Sequence, residues 1–183
     1  MDNGASSYRR FLDGDESAFD DIMEQLFFGL VFFIDRYVRD IHSAEDIAMD
    51  VFSDLIVHRH RFNFQVSLKT YLYMLGRSRA LDHLRRKKIL DFVSLSQAQD
   101  LPAEDNALED MVLTDQRKKL VNAALEKLPE QMRTAVHLVY FEQMTYEETA
   151  KVMKLGRKQV DNLLYRAKKE LRIILGEDGE LLL

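Results

Sequence analysis

Residues 145–173, TYEETAKVMKLGRKQVDNLLYRAKKELRI, constrain the fold more than any other stretch of this chain. Thr145 and Glu148 have the T-x-x-E spacing of a capping box, which satisfies two otherwise orphaned amides at a helix start. The helix that follows turns Thr149, Val152 and Met153 inward. Leu155 and Gly156 are expected to end it, glycine being the residue that leaves a helix at least cost. A second helix starts near Arg157. Val160, Leu163, Leu164, Ala167, Leu171 and Ile174 recur at helical spacing along one face. Lys151, Lys154, Arg157, Lys158, Arg166, Lys168, Lys169 and Arg172 occupy its other sides. A short helix, a turn and a basic amphipathic helix form the unit that lays one helix in the major groove of DNA. The same pattern also fits a helical hairpin with a solvated basic face. The basic excess is local, in a chain of net charge −5, and that favours DNA.

The net charge alone argues against nucleic acid, but its distribution reverses the argument. Residues 77–88, RSRALDHLRRKK, hold six basic residues and one acid, and residues 151–172 hold eight basic and two acidic residues. Residues 13–24 and 89–110 each hold six acids and no base. Two basic islands in an acidic background read as two DNA footprints separated by a spacer. The acidic stretches should repel DNA or face a protein partner.

The rest of the chain is also helical in pattern, and 7 Gly with 2 Pro leave few tight turns. From about Ser17 to Asp40, Phe19, Ile22, Met23, Leu26, Phe27, Leu30, Phe33, Ile34 and Tyr37 form a broad apolar face. Ser43 and Asp46 have capping-box spacing and are expected to open the next helix. Its apolar face is Ile47, Val51, Phe52, Leu55 and Ile56. A loop over 62–67 precedes a long helix from about Leu68 to Lys88. Residues 91–110 lose periodicity and read as a linker. Helices are then expected over about 111–127 and 130–141, before the helix-turn-helix. No strand alternation appears. The expected fold class is all-α, with two small helical domains at 1–90 and 111–175, an acidic linker at 91–110 and a tail at 176–183.

Catalytic arrangements are scarce. No cysteine is present, so disulfides, thiol catalysis and cysteine-type zinc sites are excluded, and the cytoplasm is the expected location. His58 and His60 sit two apart and so point to different helix faces, which disfavours a metal. His137 lies in an apolar stretch and is expected to pack. His83 beside Asp82 suits phosphate contact better than catalysis. There is no Gly-rich phosphate loop. The densest apolar run, LFFGLVFFI at 26–34, is far short of the roughly 20 residues of a membrane span. More pointed is the mixture at 62–88. Phe62, Phe64, Tyr71 and Tyr73 accompany Lys69, Arg77, Arg79, Arg85, Arg86, Lys87 and Lys88. Aromatics stack unpaired bases while cations hold the backbone, a composition that suits single-stranded DNA. For Tyr71 and Tyr73 taken alone, a place in the core fits as well.

Across most of residues 10–173 the chain resembles the extracytoplasmic-function (group 4) sigma factors of bacterial RNA polymerase, in the sigma-70 family. GDESAFDDIMEQ looks like that family's opening helix. AEDIAMDVFSDLI looks like A-E-D-x-x-Q-E-x-F-x-x-L, with Met49 and Asp50 at the Gln-Glu pair. SLKTYLYMLGRSRALDHLRRKK resembles F-x-x-W-L-x-x-I-A-x-N-x-A-L-D-x-L-R-R. LEKLPEQMRTAVHLVYFEQMTYEETAKVM resembles L-P-x-x-x-R…Y-E-E-I-A. The resemblance implies a first domain that melts and reads the −10 promoter element and docks on the clamp helices of the polymerase β′ subunit. It implies a second domain that reads the −35 element and contacts the β flap. By matching position, Asp46, Met49, Asp50, Asp54 and His58 would face polymerase. Asn63, Phe64, Gln65, Val66 and Ser67 would form a loop that cradles a flipped base. Lys69, Arg77, Ser78, Arg79, Asp82, Arg85 and Arg86 would serve the −10 strand. Arg157, Lys158, Asp161, Asn162, Tyr165, Arg166 and Lys168 would serve the −35 element. The implied partners are core RNA polymerase, promoter DNA and an anti-sigma factor, with no cofactor, no metal, no membrane insertion and no enzymatic chemistry. Tyr71 stands where the family often has Trp, Ser78 where it often has Asn, and Asp161 and Leu163 where it often has Lys or Arg. These departures bear on the promoter sequence read. The rival reading is a helix-turn-helix regulator that binds duplex DNA without polymerase, which needs neither an aromatic loop nor an acidic docking helix. A pure protein-interaction module would show no salt-dependent DNA affinity.

Overall fold

A computed structural model of the chain describes residues 4–94 and 116–175. The chain divides into two units between Asn106 and Ala107. Most of the expected linker, the tail, and the first residues of the helix expected at 111–127 lie outside the described residues. Within them every regular element is helical.

The first unit contains α1 (Ala5–Leu12), α2 (Ser17–Val38), α3 (Ile41–Val57) and α4 (Leu68–Ser94). α2 is the hub and packs against the other three. Its Ile22, Leu30, Phe33 and Ile34 are fully buried with Val51 and Phe52 of α3 and Leu68, Leu72 and Tyr73 of α4. Side chains of this size each contribute roughly 1.5–3 kcal/mol when removed from water. Gly76 lets α4 approach α2 closely. A Cβ there would stand 2.8 Å from Leu30 Cδ1 and 3.2 Å from Ile34 Cδ1.

Two expectations for this unit change. The cap of α3 is Asp40, not Ser43. Asp40 is extended at φ −156°, and its carboxylate accepts the Ser43 backbone N–H at 3.2 Å and also the Ser43 hydroxyl. Those bonds from Ser43 hold the Asp40 carboxyl below its usual range. The cap therefore sits one turn earlier, with the same spacing of three. The second change is α1, a helix not foreseen. Tyr8 and Phe11 bury against the rest of the unit, and the Tyr8 hydroxyl donates to the Arg59 carbonyl at 2.7 Å, with the Leu55 carbonyl at 3.3 Å. Carbonyls at the end of α3 have no partner within the helix, and Tyr8 supplies one.

The second unit contains α5 (Gln116–Glu126), α6 (Glu130–Val136), α7 (Tyr146–Met153) and α8 (Arg157–Leu175). The single helix expected over 130–141 is instead α6 followed by a wider π turn, His137–Phe141, closed by Glu142 N–H to the His137 carbonyl at 3.0 Å. Every residue of HLVYF is apolar or aromatic, so no polar spacing marks where the helix widens. Arg133 is only 7% exposed, and its guanidinium binds the Glu126 carboxylate and, at 3.3 Å, the Glu126 carbonyl. It thus closes the C-terminus of α5, where a cation is favoured.

The Thr145–Glu148 capping box forms as expected: Thr145 Oγ1 accepts from Glu148 N at 3.2 Å, and Glu148 Oε2 accepts from Thr145 N at 3.0 Å. The helix exit differs. Lys154, at φ 56°, takes the left-handed position, with Lys154 N–H to the Lys151 carbonyl and Leu155 N–H to the Ala150 carbonyl. This is the Schellman arrangement. Gly156 serves the next helix, donating its N–H to Gln159 Oε1 at 2.7 Å and accepting from Gln159 and Val160.

Candidate nucleic-acid interface

The loop between α3 and α4 is built from its aromatics. Phe62 is buried against Tyr8, ring centroids 5.5 Å apart, and against Tyr71 at 5.2 Å. Phe64 is 36% exposed and adopts φ 59°, a left-handed conformation costing roughly 1–2 kcal/mol outside glycine. Asn63 Oδ1 accepts the Gln65 N–H at 3.1 Å and so closes a turn around Phe64. Phe62 at 4.7 Å and Tyr8 at 6.1 Å support the Phe64 ring. Ser67 Oγ accepts the Thr70 N–H at 3.1 Å and shares a hydrogen bond with Thr70 Oγ1, so its hydroxyl opens α4.

Tyr8 and Tyr71 are held neutral to higher pH than usual. Burial is the main cause for both, and it moves the Tyr8 hydroxyl up to about 12. Of the four aromatics expected to stack bases, Tyr73 and Phe62 are core residues and Tyr71 is half-buried. Phe64 alone of them presents an exposed ring. Tyr73 is consumed because α4 is covered by both α2 and α3, so two adjacent positions, Leu72 and Tyr73, face inward.

On α3, Asp46, Met49 and Asp50 are exposed along a strip that continues through Ser53, Ile56 and Val57. Ile56, expected on the apolar face of α3, is instead exposed, as is Val57, which the sequence did not single out; both lie at the last turn, where the helix runs past the core that buries Leu55. Asp54 differs from its neighbours. Its side chain is 19% exposed and stands 3.5 Å from His58, 3.6 Å from Arg61 and 3.4 Å from Arg79. Arg79 also reaches Asp50 at 3.7 Å. Residues assigned by resemblance to two different partners are thus joined inside the protein, α3 to α4. Arg77, Ser78 and Asp82 are half-buried on α4, while Arg85 and Arg86 are exposed. Arg85 pairs with Asp82 at 2.9 Å, and Lys69 lies over the Tyr73 ring at 5.6 Å.

In the second unit the buried seam of α8 is Val160, Leu164, Ala167 and Leu171. All seven residues expected on the −35 face are exposed, and Tyr165 is 73% exposed. Helical geometry puts Lys158, Asn162, Tyr165 and Lys169 opposite the seam, with Asp161 and Lys168 on one flank. Arg157 is tied to Glu147 of α7 at 2.7 Å. Lys168 lies over the Tyr140 ring at 5.5 Å, and its hydrogen bond to Tyr140 raises its pKa. Asp161 makes no ion pair with Lys158 or Lys168 among the described residues. His137 is buried 3.4 Å from Glu142 and stacked on Phe141, as a packed histidine would be. No cluster of metal-ligating side chains occurs among the described residues. None of their helices is long and apolar enough to cross a membrane.

These two units match two family descriptions in the same order. Sigma-70 region 2 matches residues 30–89 and sigma-70 region 4 matches residues 118–171. Together they cover more than half of the chain. This chain belongs to the sigma-70 family. Region 2 lies within its first unit and region 4 within its second.

Relatives include the RNA polymerase sigma-H factor of Pseudomonas aeruginosa, 28% identical over 166 residues, covering 86% of each chain. They also include the ECF RNA polymerase sigma factor SigW of Bacillus subtilis, 24% identical over 87% of this chain and 89% of that one. Two solved structures share the fold. One is the sigma factor RpoE in complex with the anti-sigma factor NepR from Bartonella quintana, TM-score 0.66, 20% identical, covering 87% of this chain and 98% of that one. The other is CnrH in complex with the cytosolic domain of CnrY, TM-score 0.62, 18% identical, covering 96% of each. Such relatives favour a sigma factor over a regulator that works without polymerase.

Proposed function

We propose that this sigma factor binds core RNA polymerase and directs it to promoters with two elements, region 2 opening the −10 element and region 4 reading the −35 element. Two exposed features of one chain, taken together, carry the reading. A sigma-70 family chain holds an aromatic ring out on an ordered loop at Phe64 and also presents an exposed α8 face rich in hydrogen-bonding side chains. The first suits an unpaired base, since base–aromatic stacking contributes about 1–3 kcal/mol. The second suits base edges in the major groove.

The exposed strip of Asp46, Met49 and Asp50, continued by Ile56 and Val57, is the docking surface for the β′ clamp helices. Region 4 engages the β flap. Asn63, Gln65, Arg85 and Arg86 line the path of the −10 strand with Phe64. The chain supplies no catalysis and no cofactor, works in the cytoplasm, and is held in reserve by an anti-sigma factor. Support for that last partner is the likeness to a sigma factor solved with one.

In vitro transcription with core polymerase on a promoter library tests the reading. Two-element promoters should be enriched over core polymerase alone. No enrichment, or tight sequence-specific binding of the free chain to duplex DNA, overturns it. Charge reversal at Asp46 and Asp50 should weaken association with polymerase while leaving the fold intact.

A further inference from the structure

We infer that Arg9 of α1 is the second wall of the base-holding site: its guanidinium covers the Phe64 ring in the free protein and, on promoter opening, stacks on the far side of the unpaired base. The inference rests on the reading of 63–67 as a base-holding loop. The Arg9 guanidinium lies over the Phe64 ring, 5.1 Å from its centroid. The two arginines of α1 are held differently. Arg10 is bound by Asp15 and Asp21, at 2.6 and 3.0 Å, whereas no ion pair holds Arg9 among the described residues. Arg9 is placed at the loop by its neighbour. Tyr8 is fully buried, hydrogen-bonded to the Arg59 carbonyl, and packed on both Phe62 and Phe64.

The chemistry follows from planarity. A guanidinium and an aromatic ring are both flat, and unpaired bases stack on either. An exposed cation–π contact is weak, so a base can enter between the two groups at little cost. Once displaced from the ring, the guanidinium keeps its charge and five N–H donors for the base or the flanking phosphate. A lysine supplies the charge without the plane.

The test uses the holoenzyme assembled from core polymerase and the full chain, on a promoter taken from the library selection. The −10 region is pre-melted as a bubble, and the bubble dissociation constant is read for the wild type, Arg9→Ala, Arg9→Lys, Arg10→Ala and Phe64→Ala. Arg9→Ala should weaken bubble binding by about fivefold or more, the low end of what one base stack contributes. Arg9→Lys should recover only part of that loss, and Arg10→Ala should match the wild type. Polymerase association should be unchanged in all four variants. If Phe64→Ala weakens binding and Arg9→Ala does not, Arg9 is no wall and the loop reading survives. Full recovery by Arg9→Lys reduces the role to charge and also overturns the inference. If the wild type fails to prefer the bubble, or Phe64→Ala binds normally, the loop reading falls and takes this one with it.

Discussion

The turn between α7 and α8 and the loop between α3 and α4 both hold a non-glycine residue in the left-handed conformation, Lys154 and Phe64. They reach it by different means. At Lys154 the partners lie within a few residues: two backbone hydrogen bonds to α7 on one side, and Gly156 with Gln159 on the other. At Phe64 the Asn63 turn and the Phe62 ring are local, but Phe62 is itself packed on the distant Tyr8 and on Tyr71. The rest of the ring's support comes from Tyr8, some 56 positions away in sequence, and from the helix that carries it. A locally determined turn is stable in its own right. A turn held by distant packing depends on everything that positions the distant residue.

The largest effect that could break this contrast is at Tyr8. Tyr8→Ala should destabilise region 2 by about 3–5 kcal/mol, the range for losing a large buried ring. Hydrogen exchange should show faster exchange in α3 and α4, with α7 and α8 unchanged. Equal loss in both units would show that the loop is not held by α1. Tyr8 also sets a pH window. Its pKa is raised from 10.0 to about 12, so folding favours the neutral phenol. That contribution is complete below the unfolded value near 10 and fades as pH rises toward 12. Region 2 should lose stability across pH 10–12, and Tyr8→Phe should flatten the slope.

A smaller effect concerns what the well-formed turn presents. Asp161 stands on the flank of α8, exposed and without an ion pair to Lys158 or Lys168 among the described residues. A carboxylate can accept from the cytosine N4 amino group. Asp161→Ala should relax preference at one −35 base pair by about 1–3 kcal/mol of discrimination. Transcription from a set of −35 variants measures this, and a uniform change across all of them would leave Asp161 with only a general electrostatic role.

The smallest effects sharpen the local side of the contrast. Thr145→Ala should cost about 1 kcal/mol through the lost cap. Lys154→Gly should stabilise region 4 by less than about 1 kcal/mol, since glycine removes the left-handed penalty but adds entropy to the unfolded chain. Urea unfolding of each variant reads both. A loss at Lys154→Gly would show that the lysine side chain contributes more than its backbone strain removes.

The same division explains what the sequence made legible. The helix-turn-helix could be read because its cap, its apolar seam and its basic face fall within thirty residues and each has a fixed spacing. α1 could not, because no side chain caps it and it begins at Gly4 with φ 83°. Its evidence in sequence is only Tyr8 and Phe11 three apart, and packing decides whether eight residues hold as a helix. The start of α3 was misplaced by one turn because Asp40-x-x-Ser43 and Ser43-x-x-Asp46 are both plausible caps by residue type. Arg79 looked like a free cation because ion pairs between helices leave no mark in the spacing along one helix. The exposed α8 face was legible, since a seam at helical period also fixes what lies opposite it.

Gly76 has a mechanical consequence. It is where α4 comes close to Leu30 and Ile34 of α2, and α4 continues past it as one unbroken rod that carries Arg85 and Arg86. At about 1.5 Å per residue, Arg86 lies roughly 15 Å beyond that fulcrum. A tilt of about 5° at the contact therefore swings Arg86 by ~1.3 Å, a large fraction of a hydrogen-bond length. The length of the rod thus magnifies at Arg86 any small shift of α4 against its neighbours, and the close approach at Gly76 leaves little slack for one, since an added Cβ would meet Leu30 Cδ1 at 2.8 Å.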